Sequence, residues 1–131
     1  MKSSVPNQIK RIQYSRKEKI LEVSFSDGCL YELSAEFLRV HSPSAEVRGH
    51  SPGQEILQSG KSGVQIDAIE KIGHYAVQII FDDGHDSGLF SWSYLRELGE
   101  HKDALWKAYL EKLAVEGKSR DPEIQVLNFY P

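Results

Sequence analysis

The stretch Lys19-Ile20-Leu21-Glu22-Val23-Ser24-Phe25-Ser26-Asp27-Gly28-Cys29-Leu30-Tyr31-Glu32-Leu33-Ser34 decides how this chain folds. Leu21, Val23 and Phe25 alternate with Glu22, Ser24 and Ser26; Asp27-Gly28 interrupts the run, and Cys29, Tyr31 and Leu33 resume it. Alternation with a period of two marks a half-buried strand, so the stretch is a hairpin. The pleat sets its register, because a one-residue slip moves every side chain to the opposite face. A two-residue Asp27-Gly28 loop would oppose Phe25 to Leu30 and Val23 to Glu32, which brings a carboxylate onto the apolar face. A three-residue loop, Ser26-Asp27-Gly28, opposes Phe25 to Cys29, Val23 to Tyr31 and Leu21 to Leu33. That register is the cleaner one, and it needs Gly28 in the left-handed region, as in a type I turn followed by a bulge.

Ser34 then offers an N-cap and Glu36 sits favourably in the first turn. Phe37, Leu38 and Val40 supply the apolar stripe of a short helix that ends near His41-Ser42-Pro43. The pattern recurs. Phe25-x-Asp27-Gly28 and Leu33-Ser34-x-x-x-Leu38-Arg39 return as Phe81-x-Asp83-Gly84 and Phe90-Ser91-x-x-x-Leu95-Arg96, with one extra residue in the second loop or strand. A strand over Val64 to Ile72 precedes the second unit, and Tyr75, Val77, Ile79 and Phe81 share one face of the next strand. Ile9, Ile12 and Tyr14 make a first strand. A three-residue loop at Asp82-Asp83-Gly84 gives Gly84 the part of Gly28, and it sets His85 opposite Phe81 on the face of Ile79 and Leu89. A histidine there must find a hydrogen-bond partner, since an unpaired buried polar group costs about 1–3 kcal/mol. Gly28, Gly84, His85 and Trp92 are therefore read as structural. After Gly99 the longest helix presents Trp106, Tyr109, Leu110 and Leu113 at i, i+3, i+4 and i+7, and Gly117 stops it.

The fold class is α+β, with antiparallel β-hairpins in two repeated hairpin-plus-helix units and a longer C-terminal helix. Residues 1–131 are read as one domain, with a core over about 9–116 and a tail over 117–131. A chain of 131 residues can bury about 65–70% of its unfolded surface, enough for a core without disulfides or a structural metal. The single Cys29 excludes an intrachain disulfide and a zinc cage built from cysteines. A net charge of -3 argues against phosphate-backbone binding, so no nucleic-acid partner is expected. The longest mainly apolar run, Tyr75 to Phe81, is too short for a membrane span, and the N-terminus lacks an apolar signal core. The cytoplasm is the default compartment.

Three stretches resemble chemical motifs. Gly60-Lys61-Ser62 resembles a phosphate-binding loop, but Glu55 stands where that motif needs glycine, and a strand rather than a helix follows. His101-Lys102-Asp103 has the spacing of part of an iron triad, yet no second histidine lies downstream, which leaves a solvated helix face. Ser42, Ser44, Ser51, His41 and His50 could be drawn as nucleophile and base, but no nucleophile elbow and no orienting acid at a recognisable spacing accompany them. No catalytic residue is assigned. His85 with His41, His50 or Asp86 are the candidates should a metal be bound.

From Ser42 to Gly63 the chain is rich in proline, glycine and serine, with a short helical turn expected at Gln54 to Gln58. A connection this long in a small domain is a mobile surface loop or a binding loop. The tail from Ile124 to Tyr130 is too apolar for a free linker, and self-docking or partner docking is expected. His41, Ser42, Ser44, Arg48, His50, Phe129 and Tyr130 are the candidate contact residues.

Leu38-Arg39-Val40-His41-Ser42-Pro43-Ser44-Ala45-Glu46-Val47-Arg48-Gly49-His50, then Gly73-His74-Tyr75-Ala76-Val77 and Phe81-Asp82-Asp83-Gly84-His85-Asp86-Ser87-Gly88-Leu89-Phe90-Ser91-Trp92, closely resemble the gamma-butyrobetaine hydroxylase-like N-terminal domain family. The likeness runs from about Ile9 to about Leu98. In the carnitine-pathway dioxygenases this domain precedes the catalytic iron and 2-oxoglutarate barrel, which has no counterpart here. There it holds zinc through Cys-x-Cys-x-x-Cys and the histidine of Asp-Gly-His. By position those ligands fall on Ser42, Ser44, Val47 and His85, so three of four are replaced and no cofactor is expected. Related domains occur fused to P-loop iron-sulfur carrier proteins. The resemblance thus implies a non-catalytic accessory or protein-interaction module linked to iron-sulfur or iron metabolism, with such a carrier as partner. The alternative is a metal-binding component of an iron- or zinc-dependent oxidoreductase system.

Overall fold

The computed structural model describes residues 8–49 and 53–122. The first unit is β1 (Ile9–Ser15), β2 (Ile20–Phe25), β3 (Leu30–Ser34) and α1 (Ala35–Val40). After α2 (Ala45–Arg48), the second unit is β4 (Ile66–Ile72), β5 (Ala76–Phe81), β6 (Leu89–Ser91) and α3 (Trp92–Glu100), and α4 (Lys102–Glu116) is the last element among the described residues. Each unit is a three-stranded antiparallel sheet in sequential order, β1-β2-β3 and β4-β5-β6. The architecture is α+β, two repeated units with a longer C-terminal helix.

The first hairpin takes the register its alternation demands. Leu21 pairs with Leu33 and Val23 with Tyr31. Phe25 donates its N–H to the Cys29 carbonyl at 2.8 Å, and Gly28 has φ +96°. The second hairpin begins in the same way. Phe81 donates to the His85 carbonyl at 2.9 Å, and Gly84 has φ +91°. The register then slips, because Gln78 pairs with Leu89 and Val77 with Phe90. The extra residue of the second unit is therefore a bulge between His85 and Leu89, and it reverses which side chains point inward. Leu89 is half exposed and does not share the face of Ile79, as the alternation alone suggested; Phe90 takes the inward place, fully buried.

Two further expectations are corrected. Tyr75 lies in the turn ahead of β5 and is 76% exposed, so it does not join Val77, Ile79 and Phe81 on the inner face. Its carbonyl instead accepts the Trp92 N–H at 2.8 Å. The segment Gln54 to Gln58 has no helical turn. Its Ile56 N–H donates to the Val47 carbonyl at 2.8 Å, which draws the segment out along α2.

Serine caps start both unit helices. Ser34 Oγ accepts the Phe37 N–H at 3.0 Å, and Ser91 Oγ accepts the Tyr94 N–H at 3.1 Å. The two sheets and helices share one core: Leu21, Val23, Phe25 and Leu33 from the first sheet, Val77, Ile79, Phe81 and Phe90 from the second, with Phe37, Leu38, Leu95 and Leu98 from the helices. Tyr109 and Leu113 of α4 pack on Val40 in a smaller cluster. Gly117, at φ +65°, ends α4 in the left-handed conformation. The start of the tail is docked. Gly60 and Ser62 donate to the carbonyls of Ser119 and Arg120, and Arg120 grips the buried Glu36 carboxylate with both arms of its guanidinium, at 2.8 and 2.6 Å. Residues from 123 onward, Phe129 and Tyr130 among them, lie outside the described residues. No described helix is long and apolar enough to cross a membrane.

Candidate functional site

Local rules bring four side chains from two segments to one point. Pro43 follows the end of α1 and turns the chain, so that Ser42 and Ser44 face inward beneath the second hairpin. Ser44 occupies the N-cap position of α2 without using its hydroxyl as a cap, which leaves Oγ free for other bonds. Gly84 completes the second turn, and the next residue, His85, falls on the inner face. Asp83 Oδ1 anchors that turn by accepting the His85 N–H at 3.2 Å.

His85 is the hub. Its Nε2 lies 2.9 Å from Ser42 Oγ and 3.3 Å from Ser44 Oγ, while Nδ1 lies 2.9 Å from Glu46 Oε1. Ser87 Oγ donates to the same Glu46 oxygen at 3.3 Å. Burial, reinforced by the Arg39 guanidinium, holds the imidazole below its ordinary pKa, so it is neutral at pH 7. One tautomer satisfies the set: Nδ1–H donates to Glu46, and Nε2 accepts from the serine hydroxyls.

Serine, histidine and carboxylate in this order have the connectivity of an activated nucleophile, its base and the orienting acid. The surroundings deny the chemistry. Ser42 is fully buried, and a Cβ placed on Gly88 would meet Ser42 Oγ at 2.3 Å, so no substrate carbonyl can approach the hydroxyl. The acid is the exposed member, with 69% of the Glu46 side chain in water.

A charged network supports the turn. Arg39 Nε donates to Asp83 Oδ2 at 2.9 Å, Lys61 Nζ donates to the same oxygen at 2.6 Å, and Arg39 Nη1 reaches Gln58 Oε1 at 3.0 Å. Burial works against the Asp83 charge, but Lys61, the His85 N–H and Arg39 outweigh it and hold the carboxyl down at about 2. The first turn has a counterpart. Arg96 of α3 reaches back to Asp27 at 2.9 Å, so each unit's helix arginine holds the turn aspartate of the other unit.

Of the other candidate residues, His41 Nδ1 bonds to the Phe37 carbonyl at 2.9 Å and its ring packs on Phe37, apart from the His85 cluster. Arg48 lies 4.8 Å over the Tyr94 ring. Asp86 is exposed and contributes its carbonyl to Gln78 Nε2 rather than its carboxylate to the site. Trp92 donates its indole N–H to the His74 carbonyl at 2.7 Å. His50 lies outside the described residues. Glu46, Arg39 and Asp83 escaped the reading of the sequence for chemistry. Glu46, two residues past Ser44, and the Leu-Arg pair shared by both units were the available signals. Among the described residues no group of three His, Cys, Asp or Glu side chains is placed to hold a metal.

Fold and site together define a duplicated α+β domain built around a buried histidine bonded to two hydroxyls and a carboxylate. The family described as gamma-butyrobetaine hydroxylase-like, N-terminal, matches residues 12–96, and the chain belongs to that family. It is similar to a protein solved by NMR in solution, at 50% identity over 93% of this chain and 96% of that one, with a TM-score of 0.79. A second NMR solution structure is 41% identical, covering 100% and 98% of the two chains, with a TM-score of 0.78. A crystal structure of a protein of unknown function from Acidithiobacillus ferrooxidans, of the DUF971 family, is 36% identical over 74% of this chain and 98% of that one, with a TM-score of 0.62. No curated protein matches the chain.

Proposed function

We propose that the protein is a non-catalytic accessory module in the cytoplasm that acts by contact with another protein, in the setting of iron-sulfur or iron metabolism. The observation that carries the first part is the chain from Ser42 and Ser44 through His85 to Glu46, in which both serines bonded to the imidazole are buried away from substrate. The family supports the second part, through its kinship with domains fused to iron-sulfur carriers. The loop over residues 42–63 is the contact surface in this reading. Its root exposes Arg48 while Ser42 and Ser44 are buried beneath it, and its far end is tied to the second turn by Lys61.

The family's zinc is not held here. Protein zinc sites are built from thiolate, imidazole and carboxylate donors, and the four positions offer two neutral hydroxyls, one imidazole and Val47. Ser42 and Ser44 already bond to His85, so the donors bond to one another.

The test is zinc retention by untagged protein after incubation with one equivalent and desalting. The expected result is far less than one zinc per chain and a melting temperature unmoved by chelator. The triple variant S42C/S44C/V47C, which restores the family's ligand set around His85, should retain about one zinc per chain. Near-stoichiometric zinc in the unaltered protein, with melting lowered on chelation, overturns the reading and favours the metal-binding alternative. The iron-sulfur setting is tested by NMR titration with a carrier of the P-loop class, which should shift amides of the 42–63 loop. An unchanged spectrum rejects that partner class.

A further inference from the structure

A cleft of about 540 Å³ lies away from the His85 cluster, where the edge strands of the two sheets meet. The strands are tied at one end. Ile66 donates its N–H to Tyr14 Oη at 3.2 Å, and Arg16 reaches the Ile66 carbonyl at 3.1 Å. Further along, Ile12, Ile69, Val77 and Trp92 line the opening, and Lys10 and Lys71 stand at its rim.

Two details of the strands set those lysines there. Lys71 pairs directly with the buried Val77, and directly paired residues share a face, so its stem rises from the apolar side of β4 beside Ile69. Lys10 is the bulge residue of β1, between Ile9 and Arg11, where the local kink re-aims the side chain. Among the described residues neither Lys10 nor Lys71 has an ion-pair or hydrogen-bond partner, and no acidic side chain lines the cleft. A third cation, Arg11, is engaged by Gln13. In a chain of net charge -3, unpaired lysines over an apolar opening are a local reversal of sign.

We propose that this cleft binds a small anion with a flat apolar body, of the aromatic carboxylate class. The volume lies within the range of small-molecule sites, which combine an apolar lining with a few charged groups that fix orientation. Trp92 supplies a ring to stack on, and its N–H is already bonded to the His74 carbonyl, which holds the indole in place. Lys10 and Lys71 meet the carboxylate. The site uses none of the residues of the proposed interaction module, so either can stand without the other.

The probe is 1-naphthoate, with the neutral 1-naphthamide as its control, read by proton-nitrogen NMR. The chain has two tryptophans, so the two indole signals report separately on the cleft and on α4. Naphthoate should shift the Trp92 indole and the Ile69 and Lys71 amides saturably and leave the Trp106 indole still, and naphthamide should bind at least about tenfold more weakly. The exposed double variant K10E/K71E should lose naphthoate affinity by at least about tenfold, whereas K10R/K71R should keep it. Equal affinity for the two probes, undiminished binding by K10E/K71E, or no saturable shift of Trp92 overturns the proposal.

Discussion

The first unit follows its Asp27-Gly28 turn with Cys29, and the second follows Asp83-Gly84 with His85; backbone and register at the two turns are alike, but their surroundings are not. Over the first turn there is mostly solvent, and the Arg96–Asp27 pair has side-chain exposures of 17% and 46%. Over the second lie Ser42, Ser44, Gln58 and Lys61 from the connection between the units, and the Arg39–Asp83 pair is exposed by 9% and 22%. A repeated sequence has therefore produced a repeated backbone in unequal surroundings. The long connection makes the difference by roofing one turn and leaving the other open. Charges withdrawn from water interact more strongly, and they cost more when a partner is removed.

Double-mutant cycles test this inequality most directly. For Arg39→Ala with Asp83→Ala, the coupling measured by urea denaturation should be about 2.5 kcal/mol. The matching cycle for Arg96→Ala with Asp27→Ala should give the smaller coupling, as exposed pairs do. Equal couplings would mean that the roof has no electrostatic effect.

Next in size is the residue after each turn. His85→Ala leaves the buried Ser42 and Ser44 hydroxyls without their acceptor and should cost about 2 kcal/mol. Cys29→Ala, on the open turn, should stay within about 0.5 kcal/mol. Unchanged stability of the His85 variant would remove the case for a structural histidine. The glycines should behave alike. Gly28 and Gly84 have φ of +96° and +91°, and a Cβ on either meets nothing within 4 Å, so each alanine variant carries backbone strain alone, about 1 kcal/mol. A clear difference between their unfolding midpoints would show that one turn is strained by its packing.

The smallest expected effect is in the pH dependence. The pKa of His85 is lowered on folding, so between that value and the ordinary 6.5 the unfolded chain binds more protons and stability falls as pH falls. His41, also lowered by burial, adds to the same arm. Asp83, held at about 2, contributes stability that is present above its unfolded value and lost as pH drops from about 4 towards 2. In His85→Ala the slope of stability between pH 6.5 and 5.5 should be shallower than in the unaltered protein, and an identical slope would place the titration elsewhere.

The elements that were legible in the sequence are those whose cause is local. Leu21, Val23 and Phe25 alternate with polar residues because one face of β2 is buried, Asp27-Gly28 fits one turn type, and Ser34 and Ser91 cap the helices that follow them. Alternation misled where the backbone departs from the pleat. The bulge before Leu89 turns it to the face opposite the one its alternation implies, and Tyr75 stands one residue ahead of the strand whose pattern it continues. Gln54 to Gln58 has helix-forming residues, but pairing with α2 kept it extended. At the candidate site the resemblance named Ser42, Ser44 and His85 together, whereas Arg39 and Asp83 stood only in the repeated Leu-Arg and Asp-Gly pairs, which carry no chemical signature, and Glu46 stood in none.

By itself, then, the sequence determined the two hairpins, their turns, the capped helices and the apolar faces, because each depends on residues a few positions apart and on the period of the strand or helix. Only the tertiary structure decided which turn is roofed, that Glu46 meets His85, that the arginines cross between the units, and that Lys10 and Lys71 face one cleft. Those contacts join residues tens of positions apart. Sequence spacing carries no distance information across such separations, and the arrangement emerges only when two apolar faces must be buried against each other at once.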